Sequence, residues 1–454
     1  MPPTFLPEGS IETVKTELQI FDRPQYQVSQ LHGDWIEYKP DSNVLGTHVG
    51  TPIVFQIPKA EGIYTDLANS FITLELAITT GTNEAPVATP IAAKVALRNF
   101  AIATLFKDVA ISINGVKIEG DSSMYAFKAY FYSLLASNRS AKQFQLAIGG
   151  WMNDDAGKLS KEDNTGYTTR KLWTTSTADG VTVKTKNVYL AGQLFLDVAL
   201  QKQYLLDKMD ITIKFLRNEH VFCLQSFDNK PDDYKVRFLS MSLWMRRVQV
   251  SPSVIVGHMQ GLQKMNAVWK YPAIKICHSY HKAGITCINS TNVAPGIYPK
   301  CIFVGMVDNK GFCGDFTKAP YEFQNFNIKS IGMMMNGSPV PSTAFRPDFA
   351  TENIAREYLT LFLATGSFGI NDDDNGILLK DWANGMCLFP FTFSPDLSLN
   401  GHEQPIRMNN IRMDIEFKTE LASNMVLLLF CICDTLFEFS GNGVVHLDPT
   451  QSAS

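Results

Sequence analysis

Four residues that could bind a soft metal ion lie close together in the sequence: Cys277, His278, His281 and Cys287. Thiolate and imidazole groups are zinc ligands, and a structural zinc site needs four of them converging on one point. The spacing matches no standard zinc finger, and the segment has the pattern of a strand followed by a turn. The sequence therefore predicts no metal site here.

A run of acidic and amide residues from Asn371 to Gly376 is similar to the first half of an EF-hand calcium loop. Such a loop needs Asp at its first position and a bidentate Glu at its twelfth. This sequence has Asn371 at the first position and Trp382 at the twelfth. We therefore interpret the run as a solvated acidic turn.

Two pairs of adjacent carboxylates, Asp154 with Asp155 and Asp232 with Asp233, have side chains suited to acid and base catalysis. Both pairs lie in polar loops, where such residues are usually exposed surface. The sequence lacks the phosphate-binding loop, the HExxH zinc helix, the GxGxxG fingerprint and the GxSxG nucleophile elbow. We assign no catalytic, cofactor-binding or metal-binding residue and no cofactor, and we predict that the protein is not an enzyme.

The composition favours a large folded β-protein. The chain of 454 residues is 45% hydrophobic and 19% charged, and its 30 Phe and 15 Tyr favour strands and can fill sizeable cores. The formal charge of −4 gives no whole-chain reason to bind a polyanion, so we predict no direct sequence-specific nucleic-acid binding. Short basic groups, Arg246 with Arg247 and Lys184 with Lys186, are expected to be solvated or locally paired.

The N-terminal sequence MPPTFLPEGSIETVKTE has neither the basic start nor the apolar run of a secretory signal, which predicts synthesis in the cytosol. The longest apolar run, Met425–Cys433, has nine residues, far fewer than the roughly 18–20 that cross a bilayer. No membrane span is predicted. The eight cysteines are expected to be reduced, with Cys431 and Cys433 acting as small buried apolar residues.

Apolar and polar residues alternate along much of the chain, as from Ile72 to Ile78, which predicts antiparallel strands with one buried face. Several features then occur twice in the same order, which is the mark of an internal repeat. The first is an apolar strand that ends at Asn114-Gly115 in one half and at Asn336-Gly337 in the other. Both dipeptides suit a tight turn with positive φ angles.

A short, aromatic-rich amphipathic helix is predicted after each turn, capped by Ser122 or Ser123 in the first half and by Thr351 in the second. An Asn-Asp-Asp loop and a glycine that opens an apolar strand follow in both halves, at 153–155 and Gly192, then at 371–373 and Gly385.

The closest match between the halves is the strand MDITIKF at 209–215, which reappears as MDIEFK at 413–418. Five features in one order favour the duplication of one β-sandwich. The predicted organisation is an N-terminal arm, a first sandwich, a linker, a second sandwich and a C-terminal tail, at residues 1–30, 31–227, 228–234, 235–446 and 447–454.

Sequence blocks between about residues 50 and 440 resemble, in their order, the major capsid proteins of Maverick/Polinton elements and adintoviruses. The first 40 residues and those from 156 to 188 do not take part. The blocks are PIVFQIP at 52–58, YTDLANS at 64–70, Asn99 to Phe106, Ile113 to Gly115, Tyr125 and Tyr130 with Leu134-Leu135, VQVSPSV at 248–254, and Val304 to Phe323.

The resemblance implies an all-β double jelly roll, which consists of two tandem eight-stranded antiparallel β-sandwiches with short helices in the loops. It implies a hexon-like major capsid protein that forms pseudo-hexagonal homotrimers, and these would tile an icosahedral virion shell around double-stranded DNA. The implied partners are further copies of the chain, a single jelly roll penton protein, minor capsid proteins and a maturation protease.

Two other classes of protein fit paired sandwiches. Glycoamidase-like enzymes and copper monooxygenases use them, but they are secreted, and the copper enzymes need clustered histidines, whereas the eight histidines here are scattered. A lectin-like binding protein or a scaffold without lattice assembly is the second alternative. Hexagonal rings or shells in negative-stain microscopy would separate the capsid hypothesis from both.

Overall fold

The computed structural model describes residues 16–18, 20–21, 23, 25–41, 46–82, 86–120, 122–179, 182–297, 299–367, 374–395 and 410–447. Most of the predicted N-terminal arm, residues 371–373 of the acidic turn and residues 448–454 of the tail lie outside these ranges. Within them, alternating apolar residues form antiparallel strands in two sandwiches.

Within the described ranges, the first sandwich has eight principal strands, in which inward-facing side chains such as Ile72 and Leu74 are buried. They are β1 Gln30–Tyr38, β2 Ile53–Ile57, β3 Ile63–Gly81, β4 Phe106–Ile113, β5 Val116–Glu119, β6 Asn187–Gln193, β7 Ile211–Arg217 and β8 Lys235–Val250. One sheet has the strand order β1-β8-β3-β6, and the facing sheet has the order β2-β7-β4-β5.

The second sandwich also has eight principal strands among the residues that the structure describes. They are β9 Ala267–His281, β10 Cys287–Ser290, β11 Cys301–Asp308, β12 Ile328–Met335, β13 Ser338–Phe345, β14 Leu388–Thr392, β15 Ile411–Phe417 and β16 Met425–Phe439. The sheet orders are β9-β16-β11-β14 and β10-β15-β12-β13. Adding eight to each strand number of the first sandwich reproduces the second, so the predicted double jelly roll is confirmed and both halves share one strand order. Two of the five predicted matches are not equivalent in the structure. Gly192 lies near the end of β6 rather than opening a strand, and MDITIKF and MDIEFK are four residues out of register, because Ile211 and Ile411 each begin the seventh strand.

Short helices lie in the connections: α1 Ala101–Thr104, α2 Tyr125–Ala136, α3 Arg139–Gln143, α4 Thr165–Thr174, α5 His220–Cys223, α6 Pro252–Leu262, α7 Asn309–Cys313, α8 Ala355–Thr365 and α9 Leu379–Ala383. Short strands supplement the sheets: Pro86–Ala88 pairs with β3, Val445–Leu447 with β16, Val95–Leu97 with Leu224–Ser226, and Thr177–Asp179 with Thr182–Lys184. Among the described residues, no helix is long and apolar enough to span a membrane.

The two Asn-Gly turns have the same backbone and side-chain contacts. Asn114 and Asn336 have φ angles of 49° and 52°, and the following glycines have 80° and 85°. The Asn114 side-chain oxygen accepts a hydrogen bond from the Asp210 N–H at 2.8 Å, just before β7. The Asn336 oxygen accepts one from the Asn410 N–H at 2.9 Å, just before β15. The repeat therefore extends to individual hydrogen bonds.

Replacing Gly115 or Gly337 by alanine should lower the free energy of unfolding by about 1–2 kcal/mol, because a Cβ is strained at positive φ. An added Cβ would contact nothing within 4 Å at either turn, so the backbone angle alone causes the loss. The control is Gly261→Ala in α6, where the Cβ also meets open space and helix propensity improves. Urea unfolding should show equal losses of stability for Gly115→Ala and Gly337→Ala and no loss for Gly261→Ala. Unequal losses at the two turns would contradict their structural equivalence.

The predicted boundary between the sandwiches is wrong by one strand. β8 pairs with β3 from Lys235 to Gln249 and also with β1, so it completes the first sandwich. The conspicuous MDITIKF strand is the seventh strand of its sandwich rather than the last. The chain crosses to the second sandwich through α6. The predicted linker 228–234 instead leads into β8 by a turn at Pro231–Asp233, whose two carboxylates are exposed as expected.

Both predicted helices form, but their capping residues differ from the prediction. The Ser122 hydroxyl accepts a hydrogen bond from the Met124 N–H at 3.3 Å, one residue before α2 begins. The second helix begins at Ala355, and Ile354 occupies its N-cap without a side-chain hydrogen bond. Thr351 is therefore not the cap, because it lies in a turn upstream.

Candidate functional site: the seam between the sandwiches

Helix α2 lies between the two sandwiches, and we call its contacts with the second sandwich the seam. Its sequence predicts one apolar stripe, but ten of its twelve residues are buried. A helix that is buried on all sides is covered by a second layer of protein. The first sandwich carries α2, and the second sandwich covers its outer face.

Aromatic rings stack across the seam. The Phe131 ring lies 4.2 Å from that of Phe430 with an interplanar angle of 4°, and its centroid is 5.2 Å from that of Phe303. The Tyr130 ring lies 4.1 Å from that of Tyr321, also nearly parallel. Stacked pairs of this kind stabilise contacts beyond the area that they bury. They fix the second sandwich against α2.

Strands β11 and β16 are buried on both faces, which explains their unbroken apolar sequences. Every residue from Cys301 to Val307 is buried, as is every residue from Met425 to Cys431. One face of this sheet contacts its own sandwich partner, and the other contacts α2. A strand covered on both sides has a continuous apolar run rather than an alternating one. The run at 425–433 is therefore the sequence signal of the seam.

A buried ion triad lies beside the aromatic stack. Lys128 of α2 contacts the carboxylate of Glu119, and its Nζ lies 3.4 Å from Oδ1 of Asp197. The other Asp197 oxygen accepts a hydrogen bond from the Ile274 N–H of β9 at 3.2 Å, which links the sandwiches. Burial, together with the charge of Glu119, raises the pKa of Asp197 to about 7. Burial opposes the charge of Lys128, but the two carboxylates outweigh it and raise that pKa.

Polar contacts extend the seam on either side of α2. The Thr104 hydroxyl lies 2.7 Å from that of Tyr321. Trp269 of β9 donates from Nε1 to the Tyr204 carbonyl at 3.1 Å. The Asn114 amide donates to the Gly443 carbonyl at 2.9 Å. Contacts at several separate points hold the two sandwiches in one fixed arrangement.

The connection between α2 and β6 is a folded insertion with a buried ion pair. Arg170 of α4 donates to Asp154 at 2.8 Å, and Asn164 donates to the same carboxylate oxygen at 2.8 Å. The expectation that Asp154 is a surface carboxylate is therefore wrong, because its charge is paired inside the insertion. Asp155 accepts hydrogen bonds from Thr165 at the start of α4, and these lower its pKa.

The basic pair in β8 also differs from its prediction. Arg247 is buried and donates to the Thr65 hydroxyl at 2.8 Å and to the Pro58 carbonyl at 3.1 Å. Arg246 lies over the Trp35 ring, 4.3 Å from its centroid. Arg247 is thus a structural residue inside the first sandwich rather than a solvated cation.

The soft-metal candidates do not converge. Cys277, His278 and His281 lie on β9, and Cys287 lies on β10 of the facing sheet. The Cys277 thiol hydrogen-bonds with Cys431, which lowers the pKa of Cys277 to about 7. Among the described residues, no three His, Cys, Asp or Glu side chains group as a metal site. All eight cysteines are free.

Two sandwiches with one strand order, joined by a fixed seam, define a double jelly roll protein. The solved structures with this fold include viral major capsid proteins. The chain is similar to a chain of the Sputnik virophage (TM-score 0.61, 12% identity, 100% of this chain and 96% of that chain). It is also similar to the mavirus major capsid protein (0.57, 12%, 99% and 97%) and to that of Faustovirus (0.53, 9%, 93% and 92%).

Comparison at the sequence level adds one relative. No protein-family model matches the chain. An uncharacterised protein of Caenorhabditis elegans is 20% identical over 351 residues, which cover 75% of this chain and 80% of that protein. Neither comparison tests the Maverick/Polinton resemblance, which stays a prediction.

Proposed function

We propose that this protein is a structural major capsid protein of the Maverick/Polinton type rather than an enzyme. The observation that carries the proposal is the double jelly roll itself, which aligns with viral capsid proteins over nearly the full length of both chains. The sequence blocks between about residues 50 and 440 support the narrower assignment. In this role the seam turns two sandwiches into one rigid building block.

Three copies of such a block contain six sandwiches of similar shape. A capsomer made from one gene product can therefore have a hexagonal outline and cover a surface together with other capsomers. A cyclic trimer closes, so assembly stops there before the lattice grows. The proposed capsomer is therefore a homotrimer in an icosahedral shell around double-stranded DNA. An obligate interface of this kind buries about 2,000 Å² or more per pair of chains.

Light scattering after size-exclusion chromatography should give a mass of three times 50.6 kDa. Negative-stain images of the same fraction should show rings with a hexagonal outline, which neither an enzyme nor a lectin-like protein predicts. A stable monomer at micromolar concentration, without rings, would contradict the capsomer.

Two segments outside the sheets of the sandwiches have proposed roles of their own. The folded insertion from Met152 to Lys186 lies between strands of the first sandwich, where added length leaves the sheets unchanged, and we assign it to the outer end of the capsomer. Residues 1–30 form an arm over a neighbouring copy or an inner-face component. Normal shells from an arm-deleted chain would refute the role of the arm.

The remaining partners follow from the family resemblance. A single jelly roll penton protein would close the vertices, minor capsid proteins would fill the lattice, and a maturation protease would process the particle. Because the chain has no basic tract, separate proteins would neutralise the packaged DNA. The proposed location is the virion, after synthesis in the host cytosol.

A further inference from the structure

The outward face of the β1-β8-β3-β6 sheet carries an unusual set of aromatic side chains. Phe71 and Trp244 are stacked across β3 and β8, with centroids 6.0 Å apart. Tyr189 of β6 is 67% exposed, and Trp35 of β1 is 45% exposed. We call these four residues the aromatic face. Clustered exposed aromatic residues are typical of protein interfaces rather than of free surface.

The equivalent face of the second sandwich is covered. Phe303 on β11 and Phe430 on β16 form a cross-strand pair, as Phe71 and Trp244 do on β3 and β8. Both members of the second pair are fully buried beneath α2. The repeat thus places an aromatic pair on the outward face of both sheets, but the chain buries only the second pair completely.

Helix α8 holds the position in the second half that α2 holds in the first, between the fifth and sixth strands of its sandwich. The two helices differ in burial, because few residues of α8 are buried. Leu359 on α8 is 43% exposed, and Leu378 and Leu379 near the start of α9 are 45% and 39% exposed. The Tyr358 hydroxyl donates to the Ile377 carbonyl at 2.7 Å and joins these segments. We call the three leucines the leucine patch.

We infer that the leucine patch of one copy packs on the aromatic face of a second copy, as α2 packs on Phe303 and Phe430 within one chain. The repeat supplies both halves of this contact, the leucine patch on the second half of the chain and the aromatic face on the first half, where Thr73 and Glu75 also lie among the aromatic rings. Such a head-to-tail contact uses two different surfaces, and it closes into a ring when the rotation between copies allows. The inference rests on the proposed capsomer and identifies its interface.

Leu359→Arg should weaken association of the chains by about tenfold or more, because it removes an apolar contact and buries a charge. The matched control is Met259→Arg on α6, an apolar helix position of similar exposure, 38%, outside both surfaces. Light scattering over a dilution series measures the association. Circular dichroism checks that both variants are folded. Equal association for wild type and Leu359→Arg would overturn the inference.

Cross-linking between two differently marked chains tests the contact directly. One chain carries Tyr189→Cys and the other Leu359→Cys, both with the exposed Cys287 and Cys313 replaced by serine. A short bismaleimide should join the two marked chains when they are mixed and assembled, but it should not join Tyr189→Cys with Met259→Cys. If the chains assemble as a trimer but no mixed product forms, the proposed interface is wrong and the proposed capsomer is not affected. If the wild-type chain stays monomeric, both the interface and the capsomer are contradicted.

Discussion

Replacing Phe131 by alanine should lower the free energy of unfolding by about 3–5 kcal/mol, among the largest losses that a single substitution in this chain can cause. The side chain is almost fully buried and stacks on Phe430 while contacting Phe303 edge-on. Truncation leaves a ring-sized cavity between two rigid sandwiches, which cannot collapse because polar contacts hold them on either side of α2. The loss therefore includes both the transfer of the ring to water and the cavity.

Phe144→Ala is the matched control, since this phenylalanine is 70% exposed just after α3. Its loss should stay within about 0.5 kcal/mol. Urea unfolding at one fixed protein concentration measures both variants, because any association would make stability concentration-dependent. A Phe131→Ala variant as stable as the control would show that the seam is not a cooperative part of the fold.

The sequence predicted what depends on local pattern. Alternation gave the strands, and the Asn-Gly dipeptides gave two turns whose hydrogen bonds match. The similar segments at 209–215 and 413–418 located the seventh strand of both sandwiches, but the structure aligns Ile211 with Ile411, four residues away from the sequence match. These signals are readable because each depends on a few neighbouring residues and on one face of one sheet.

The sequence did not predict what depends on contacts between distant segments. β8 looked like the start of the second half because its pairing partners, β1 and β3, lie between 156 and 220 residues earlier. Asp154 and Arg247 looked solvated because their buried partners, Arg170 and Thr65, lie elsewhere in the chain. Polarity in a sequence does not distinguish a solvated charge from a paired one, since burial is set by tertiary structure.

The sequence contains a signal of the seam, but hydrophobic periodicity alone does not explain it. The apolar run at 425–433 is too short to cross a bilayer as a helix, and it departs from the alternation of the other strands. A strand that lacks a polar face must be covered twice. β11 and β16 both lack a polar face, which marks the sheet on which α2 packs, but nothing in their sequences identifies α2 as the covering element.

Replacing Lys128 by methionine should destabilise the fold by about 3–5 kcal/mol at pH 8, because it leaves buried Asp197 and half-buried Glu119 without a cation. The loss should shrink as the pH falls. The pKa of Asp197 is raised to about 7 from an ordinary value of 3.8, so the folded state binds its proton more tightly than the unfolded state does. The stability that Asp197 contributes is therefore fully present below about pH 4, and it is lost as the pH rises through about 7.

Lys158→Met provides the same substitution at an exposed ion pair with Asp163, and it should cost at most about 1 kcal/mol. Urea unfolding of wild type and both variants at pH 5 and pH 8 measures the difference. The Lys128→Met deficit should be larger at pH 8 than at pH 5, because protonation of Asp197 relieves the uncompensated charge. A deficit that is equal at both values, or no larger than that of Lys158→Met, would mean that the triad contributes packing alone and that its charges do not hold the sandwiches together.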